Sequence, residues 1–132
     1  MKIVTQLAVF LANQPGTLAA VCDELARAHV NILALTISDS VDHAVVRMVV
    51  SDTQKALHLF GERGLLVVET DVLLLDSTNK PGALAELART LATHKINIEY
   101  AYMAISPALK KGAMVLRVSN GKKALQVLSA AA

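Results

Sequence analysis

Two stretches carry residue types suited to recognition chemistry: Asn13-Gln14-Pro15-Gly16-Thr17-Leu18 and Asn79-Lys80-Pro81-Gly82-Ala83-Leu84. Proline suits the first position of a helix, where its missing N–H costs nothing. A helix that starts there presents backbone N–H groups and the positive end of its dipole, which favour an anion. Gly16 and Gly82 lack a Cβ, so a ligand can approach the backbone closely. Asn13 and Asn79 bring both donors and an acceptor, as a zwitterion requires. The same residues also fit a plain tight turn, with Asn31 and Asn97 ending the following helix in a left-handed conformation.

Other chemistry is poorly supplied. The histidines, at 29, 43, 58 and 94, have no metal-ligand spacing, and His29 and His94 fall near expected helix ends. Cys22 lies on an apolar helix stripe and reads as a small core residue rather than a nucleophile. Glu99 is a lone charge in a β-rich stretch, either solvated at an edge or available to a ligand ammonium. No residues are assigned to catalysis, a metal or a cofactor. An enzyme needs a nucleophile or an acid/base pair, and none assembles here.

The elements that must position the two stretches occur twice. At an offset of 66, Asn13/Asn79, Pro15/Pro81, Gly16/Gly82, Leu18/Leu84, Ala19/Ala85, Leu25/Leu91, Ala26/Ala92, Asn31/Asn97 and Ile32/Ile98 are identical. Further on, Lys55-Ala56-Leu57 answers Lys123-Ala124-Leu125 at an offset of 68. The two extra residues of the second copy fall in the turn around 107–112. Two copies are too few for a solenoid, which needs about three or more. They read as two tandem domains, residues 1–69 and 70–132.

Each copy spells the same order. Residues 7–12 alternate with a period of two, as a strand does. Leu18, Val21, Cys22 and Leu25 then follow helical spacing. Residues 32–37 and 44–50 are β-rich, Asp52 is a candidate N-cap for a second helix, and Gly64 ends that helix. Residues 65–69 form a last strand. The fold class is α+β: two tandem ferredoxin-like βαββαβ units, each an antiparallel sheet with both helices on one face. Ile98, Tyr100 and Tyr102 alternate with Ala101, Met103 and Ile105, so both faces of one strand are apolar and a second cover is expected.

Composition narrows the partners. Hydrophobic residues make up 54% of the 132 residues and aromatics 3%, which excludes disorder. Lys plus Arg is 13 against 11 Asp plus Glu, and a net charge of +2 is too small for a phosphate backbone. An RNA-recognition domain stacks bases on strand aromatics, whereas Lys111-Gly112 is followed by Ala113 and residues 44–50 hold no aromatic. No nucleic acid partner is expected. The longest uncharged stretch, residues 3–22, is broken by Gln6, Asn13, Gln14, Pro15 and Gly16, so no membrane span is expected. One cysteine and no cleavage site after the apolar run at 7–12 point to the cytoplasm.

With both copies of Asn-x-Pro-Gly-x-Leu, followed by His29-Val30-Asn31-Ile32 and Lys95-Ile96-Asn97-Ile98, the chain resembles the ACT domain family. That resemblance covers nearly the whole chain as a tandem pair. It implies modules that bind free amino acids between two ACT units, against the loop before the first helix and the start of the second strand. The implied site residues are Asn13, Gln14, Pro15, Gly16, Thr17, Leu18, Asn31 and Ile32. Their counterparts are Asn79, Lys80, Pro81, Gly82, Ala83, Leu84, Asn97 and Ile98. The halves differ, Lys80 replacing Gln14 and Ala83 replacing Thr17, so unequal occupancy is expected. A tandem pair with no room for an enzyme or DNA-binding domain resembles a sensor or regulatory subunit acting in trans on a metabolic enzyme or regulator. A chain like the small regulatory subunit of acetolactate synthase is the alternative, although that chain usually carries one ACT domain and a different C-terminal domain. A small enzyme on the same scaffold is the third.

The second copy stops after its second helix, without a last strand. Its first strand, residues 72–75, is then left with a bare edge that invites another strand. Residues 1–6 of the same chain or a strand of a second copy can fill it. The second route makes a homodimer, which is the expectation.

Overall fold

The computed structural model describes residues 1–39, 43–78, 80–105 and 111–131. Among these the order is β1 (Lys2–Ala12), α1 (Thr17–Arg27), β2 (Ile32–Asp39), β3 (His43–Val50), α2 (Thr53–Glu62) and β4 (Leu66–Thr78), then α3 (Ala83–Thr93), β5 (Ile98–Ile105), β6 (Lys111–Val118) and α4 (Gly121–Ala131). The strands are hydrogen-bonded in the order β2-β3-β1-β4-β6-β5. The fold is α+β and ferredoxin-like in both repeats, as the sequence pattern predicts. Two strands are longer than expected: β1 takes in residues 2–6, and residues 66–78 form one continuous strand.

The chain divides into two compact units, Thr5–Thr70 and Met1–Val4 with Asp71–Ala132. In the first, β3 pairs antiparallel with β1 (Leu7 opposite Met48, Ala12 opposite His43) and with β2 (Ile32 opposite Val50, Asp39 opposite Ala44). Leu7, Val9, Leu11, Val46, Met48 and Val50 all lie on one face of the sheet. Val21 and Leu25 of α1 and Ala56 and Phe60 of α2 close over it, completing the core. Both helices therefore cover the same face, as right-handed crossovers require. Their apolar residues recur at helical spacing, which is what directs this packing.

In the second unit, β6 pairs antiparallel with β4 (Leu73 opposite Leu116) and β5 (Ile98 opposite Val118). Leu73, Leu75, Met114, Leu116 and Val118 form its core with Leu91 of α3 and Ala124 and Leu128 of α4. No strand follows α4 among the described residues. Met1–Val4 belongs to this unit, β1 neighbours β4, and Ile3 packs on the core. Of the two ways to fill the bare edge, the chain uses its own N-terminus. Ala8, Val49, Val72 and Val115, which point away from the helices, are buried as well. On β5, where two apolar faces were expected, Tyr100 and Tyr102 are half-buried and Ala101 and Met103 exposed.

Three helix ends share one hydrogen-bond pattern. Val30 N donates to Leu25 O and His29 N to Ala26 O; Ile96 and Lys95 repeat this on Leu91 and Ala92, and Leu65 and Gly64 on Phe60 and Gly61. This is the Schellman closure, with a left-handed residue just past the helix. His29 and Lys95, both at φ 58°, occupy that position. Asn31 and Asn97, expected there, lie two residues further on.

Candidate functional site

The two Asn-x-Pro-Gly loops have nearly the same backbone. Gly16, at φ 90° and ψ −14°, is the N-cap of α1, and Gly82, at φ 86° and ψ −8°, is the N-cap of α3. Both helices begin one residue after the glycine, so Pro15 and Pro81 lie outside the helix rather than at its first position. The left-handed bend at glycine turns the chain from strand into helix, a conformation that side chains with a Cβ rarely adopt. An ideal Cβ at either position would meet nothing within 4 Å, so open space adjoins both turns.

The N-caps of the remaining helices are chemically different. Asp52 Oδ1 accepts from Lys55 N at 3.1 Å, and Asn120 Oδ1 accepts from Lys123 N at 3.1 Å. The first turns of α2 and α4 are thereby closed by side-chain acceptors. At α1 and α3 the N-cap is a glycine, which has no side chain to accept. Thr17 N and Ala83 N reach only the carbonyls of Gln14 and Lys80, at 3.4 Å in each loop. The helix N-termini that face the open turns are therefore the ones suited to an external anion.

The loops differ in how they treat their own carbonyls. Thr17 Oγ1 lies 2.9 Å from Ala12 O and 3.0 Å from Gln14 O, and donates into this pair of acceptors. Ala83, its counterpart, has no hydroxyl to do the same. Asn13, Gln14, Pro15 and Gly16 are exposed, with Thr17 and Leu18 half-buried. Lys80, Pro81, Gly82 and Leu84 are exposed and Ala83 half-buried, while Asn79 lies outside the described residues.

Asn31 and Ile32 are not brought to the loop of their own unit. Ala12, at the loop, is opposite His43, whereas Ile32 is opposite Val50 at the other end of β3. Seven residues of strand separate the two ends by about 23 Å. Asn97 and Ile98 have the same relation to their loop. The residues at the loop end are instead Ile37 to Asp39 of β2 with His43 and Ala44 of β3, which sequence reasoning missed. Their only signal was the chain direction through βαβ, which puts the end of the second strand beside the end of the first.

The asparagine main chains have structural partners. Asn31 N donates to Ser51 Oγ at 2.8 Å, and Ser51 N donates back to Asn31 O at 2.9 Å. Asn97 and Ser119 repeat both bonds, each at 3.0 Å. Lys55 Nζ donates to Ala28 O and Lys123 Nζ to His94 O, tying the second helix of each unit to the end of the first. Glu99 lies 3.8 Å from Arg117 Nε. Cys22 is half-buried on α1 and outside the core cluster.

The chain belongs to the family described as ACT domain pair, which it matches over residues 1–131. It is similar to protein BT0572 from Bacteroides thetaiotaomicron, with 34% identity and a TM-score of 0.89 over 96% of this chain and 87% of that one. It has the fold of the regulatory subunit of aspartate kinase from Thermus thermophilus, solved in a ligand-free form (17% identity, TM-score 0.71, 99% and 97% covered). The corresponding subunit from Thermus flavus gives 19% identity and a TM-score of 0.63, again over 99% and 97%. No curated protein matches the chain. Among the described residues, no helix is long and apolar enough to cross a membrane.

Proposed function

We propose that this chain is an amino-acid-responsive regulatory protein that binds its ligand at the Asn-x-Pro-Gly loops and acts in trans on a metabolic enzyme. The observation that carries the reading is the contrast in caps: α2 and α4 are closed by Asp52 and Asn120, while α1 and α3 open from glycine turns. A ligand carboxylate takes the free helix ends and its ammonium takes loop carbonyls. The regulatory subunits of aspartate kinase that share the fold support a partner in amino-acid metabolism.

The same reading makes the working form a homodimer. β2 is an edge strand whose residues 32–38 carry no charge, with Leu33, Leu35 and Ile37 exposed. Such an edge favours another strand. Antiparallel, in-register pairing of β2 with its copy sets Ile32 of one chain opposite Asp39 of the other. That brings one chain's Asn31 and Ile32 to the loop end of its partner, which reunites the two halves of the expected site.

Calorimetry with the twenty amino acids tests the ligand, and Ala83→Asp tests the place. The new carboxylate sits in the first turn of α3, where the dipole favours it by about 0.3–1 kcal/mol. Binding should therefore weaken without loss of stability. Leu35→Lys should break the dimer and the binding together. A protein that binds none of the twenty at millimolar concentration refutes the reading.

A further inference from the structure

Charge is divided unevenly between the two units. Lys and Arg number nine in Met1–Val4 with Asp71–Ala132, against four Asp and Glu; in Thr5–Thr70 they number four against seven. Much of the excess lies on the helices of the second unit. Arg89, Lys95, Lys122 and Lys123 are all exposed, and residues 87–98 and 118–132 hold no acidic side chain. Lys123 Nζ donates to His94 O at 3.0 Å, which sets the start of α4 beside the end of α3 and brings Lys95, Lys122 and Lys123 to one end of the unit. Arg89 lies one turn before the end of α3, whereas Glu86 is in its first turn. On the strands, Glu99 is 3.8 Å from Arg117, and Asp71 lines a small cavity with Lys122.

The fold does not require this charge. Arg89, Lys95, Asn120 and Lys122 align with Asp23, His29, Asp52 and Gln54 of the first repeat, each acidic or uncharged. Lys122 and Lys123 stand in the first turn of α4, where the positive end of the helix dipole disfavours a cation. Asn120 caps that turn without the negative charge that Asp52 brings to α2. Lys123 has a structural task, which Lys55 repeats on Ala28 O. The side chains of Lys95 and Lys122 have no hydrogen-bond or ion-pair partner among the described residues. A local rule broken without a structural return points to function.

We propose that this end of the second unit docks an acidic segment of a protein partner. The proposal rests on the reading of a chain that acts in trans, and adds where its target binds. A segment lying across the end of α3 and the start of α4 sets its carboxylates against Arg89, Lys95 and Lys122, and charge complementarity of this kind selects partners and speeds encounter. Four cations are fewer than the about six to ten phosphate contacts of a DNA-binding surface, and the acidic first unit repels a polyanion. α4 exposes Lys122, Lys123, Gln126, Ser129 and Ala130, with no large apolar side chain to enter a bilayer.

Panning a library of random displayed peptides on the full chain tests it, with two variants that lose equal charge. One combines Arg89→Gln, Lys95→His and Lys122→Gln on the surface; the other combines Lys2→Gln, Arg27→Gln and Lys111→Gln elsewhere. His29 and Gln54 already hold the equivalent places in the first repeat, and Lys122→Gln removes a cation from a positive helix end, so the first variant should keep or raise its urea midpoint. Should it fail to fold, Lys122→Gln alone decides. Selected peptides should be rich in Asp and Glu. Their affinity should fall about tenfold in the first variant at low salt and at most about threefold in the second, with the gap narrowing as salt rises. Selection without acidic enrichment overturns the proposal, as does equal loss in both variants. Tighter binding of a DNA duplex or of anionic phospholipid vesicles than of every selected peptide overturns it too. Calorimetry with amino acids judges the loops separately: no binding there sinks the loop site, while the peptides alone decide this surface.

Discussion

The glycine turns supply the sharpest quantitative test, because three glycines with equal free space should respond to alanine with opposite signs. Gly16 and Gly82 sit at φ 90° and 86°, whereas Gly61 lies within α2 and has no left-handed φ. At all three an added Cβ meets nothing within 4 Å, so packing drops out of the comparison. The left-handed conformation costs a residue with a Cβ roughly 1–2 kcal/mol. Loss of unfolded-state freedom returns about 0.4–1 kcal/mol. The balance is a destabilisation of about 1 kcal/mol for Gly16→Ala and for Gly82→Ala. Gly61→Ala, in a helix, should stabilise by about 0.5–1 kcal/mol. With a urea m-value of about 2 kcal/mol/M, the midpoints should move about 0.5 M down for the turns and up to about 0.5 M up for Gly61. Gly16→Ala or Gly82→Ala raising the midpoint as Gly61→Ala does would refute the left-handed account of the turns, and with it their role in holding the helix ends open.

The helix closures predict the converse exchange. His29→Gly and Lys95→Gly, at φ 58°, should stabilise by about 0.5–1 kcal/mol, read as a rise in the urea midpoint. Asp52→Ala and Asn120→Ala should each lose about 1 kcal/mol, with faster amide exchange confined to the first turns of α2 and α4. Deleting residues 1–4 should cut amide protection along residues 71–75 of β4 and lower the second unit's urea transition. Protection that survives the deletion would mean that the N-terminus is not what pairs with that edge.

The repeat made the fold legible, since one βαββαβ reading had to serve both halves and the core periodicities agreed in each. The joint between the halves was less clear. Thr70 and Asp71 fall between the strands expected at 65–69 and 72–75, yet β4 runs through them, because a strand tolerates polar residues at positions that reach solvent, as Asp71 does. The helix start was misplaced because Pro15 was weighed by its missing N–H, whereas the positive φ of Gly16 decides where the turn ends. The left-handed residues were sought at asparagine by residue preference. Helix register decided instead, since Val30 and Ile96 must reach back to Leu25 and Leu91 to enter the core.

Identity between the two copies and exposure to a ligand turn out to be different signals. Asn31/Asn97, Ser51/Ser119 and Lys55/Lys123 are each the same residue in both halves, and each makes the same main-chain contact in both. Repetition at those positions is accounted for by folding. The glycines of the two turns repeat for backbone reasons as well. Where the copies diverge, the fold imposes no common requirement: Thr17 against Ala83 in the turns, and Leu33 and Val49 against Glu99 and Arg117 at the far end. A βαββαβ unit closes with either set. The divergent positions, rather than the repeated ones, are therefore where selectivity between two ligands, or between two ends of one protein, has room to arise.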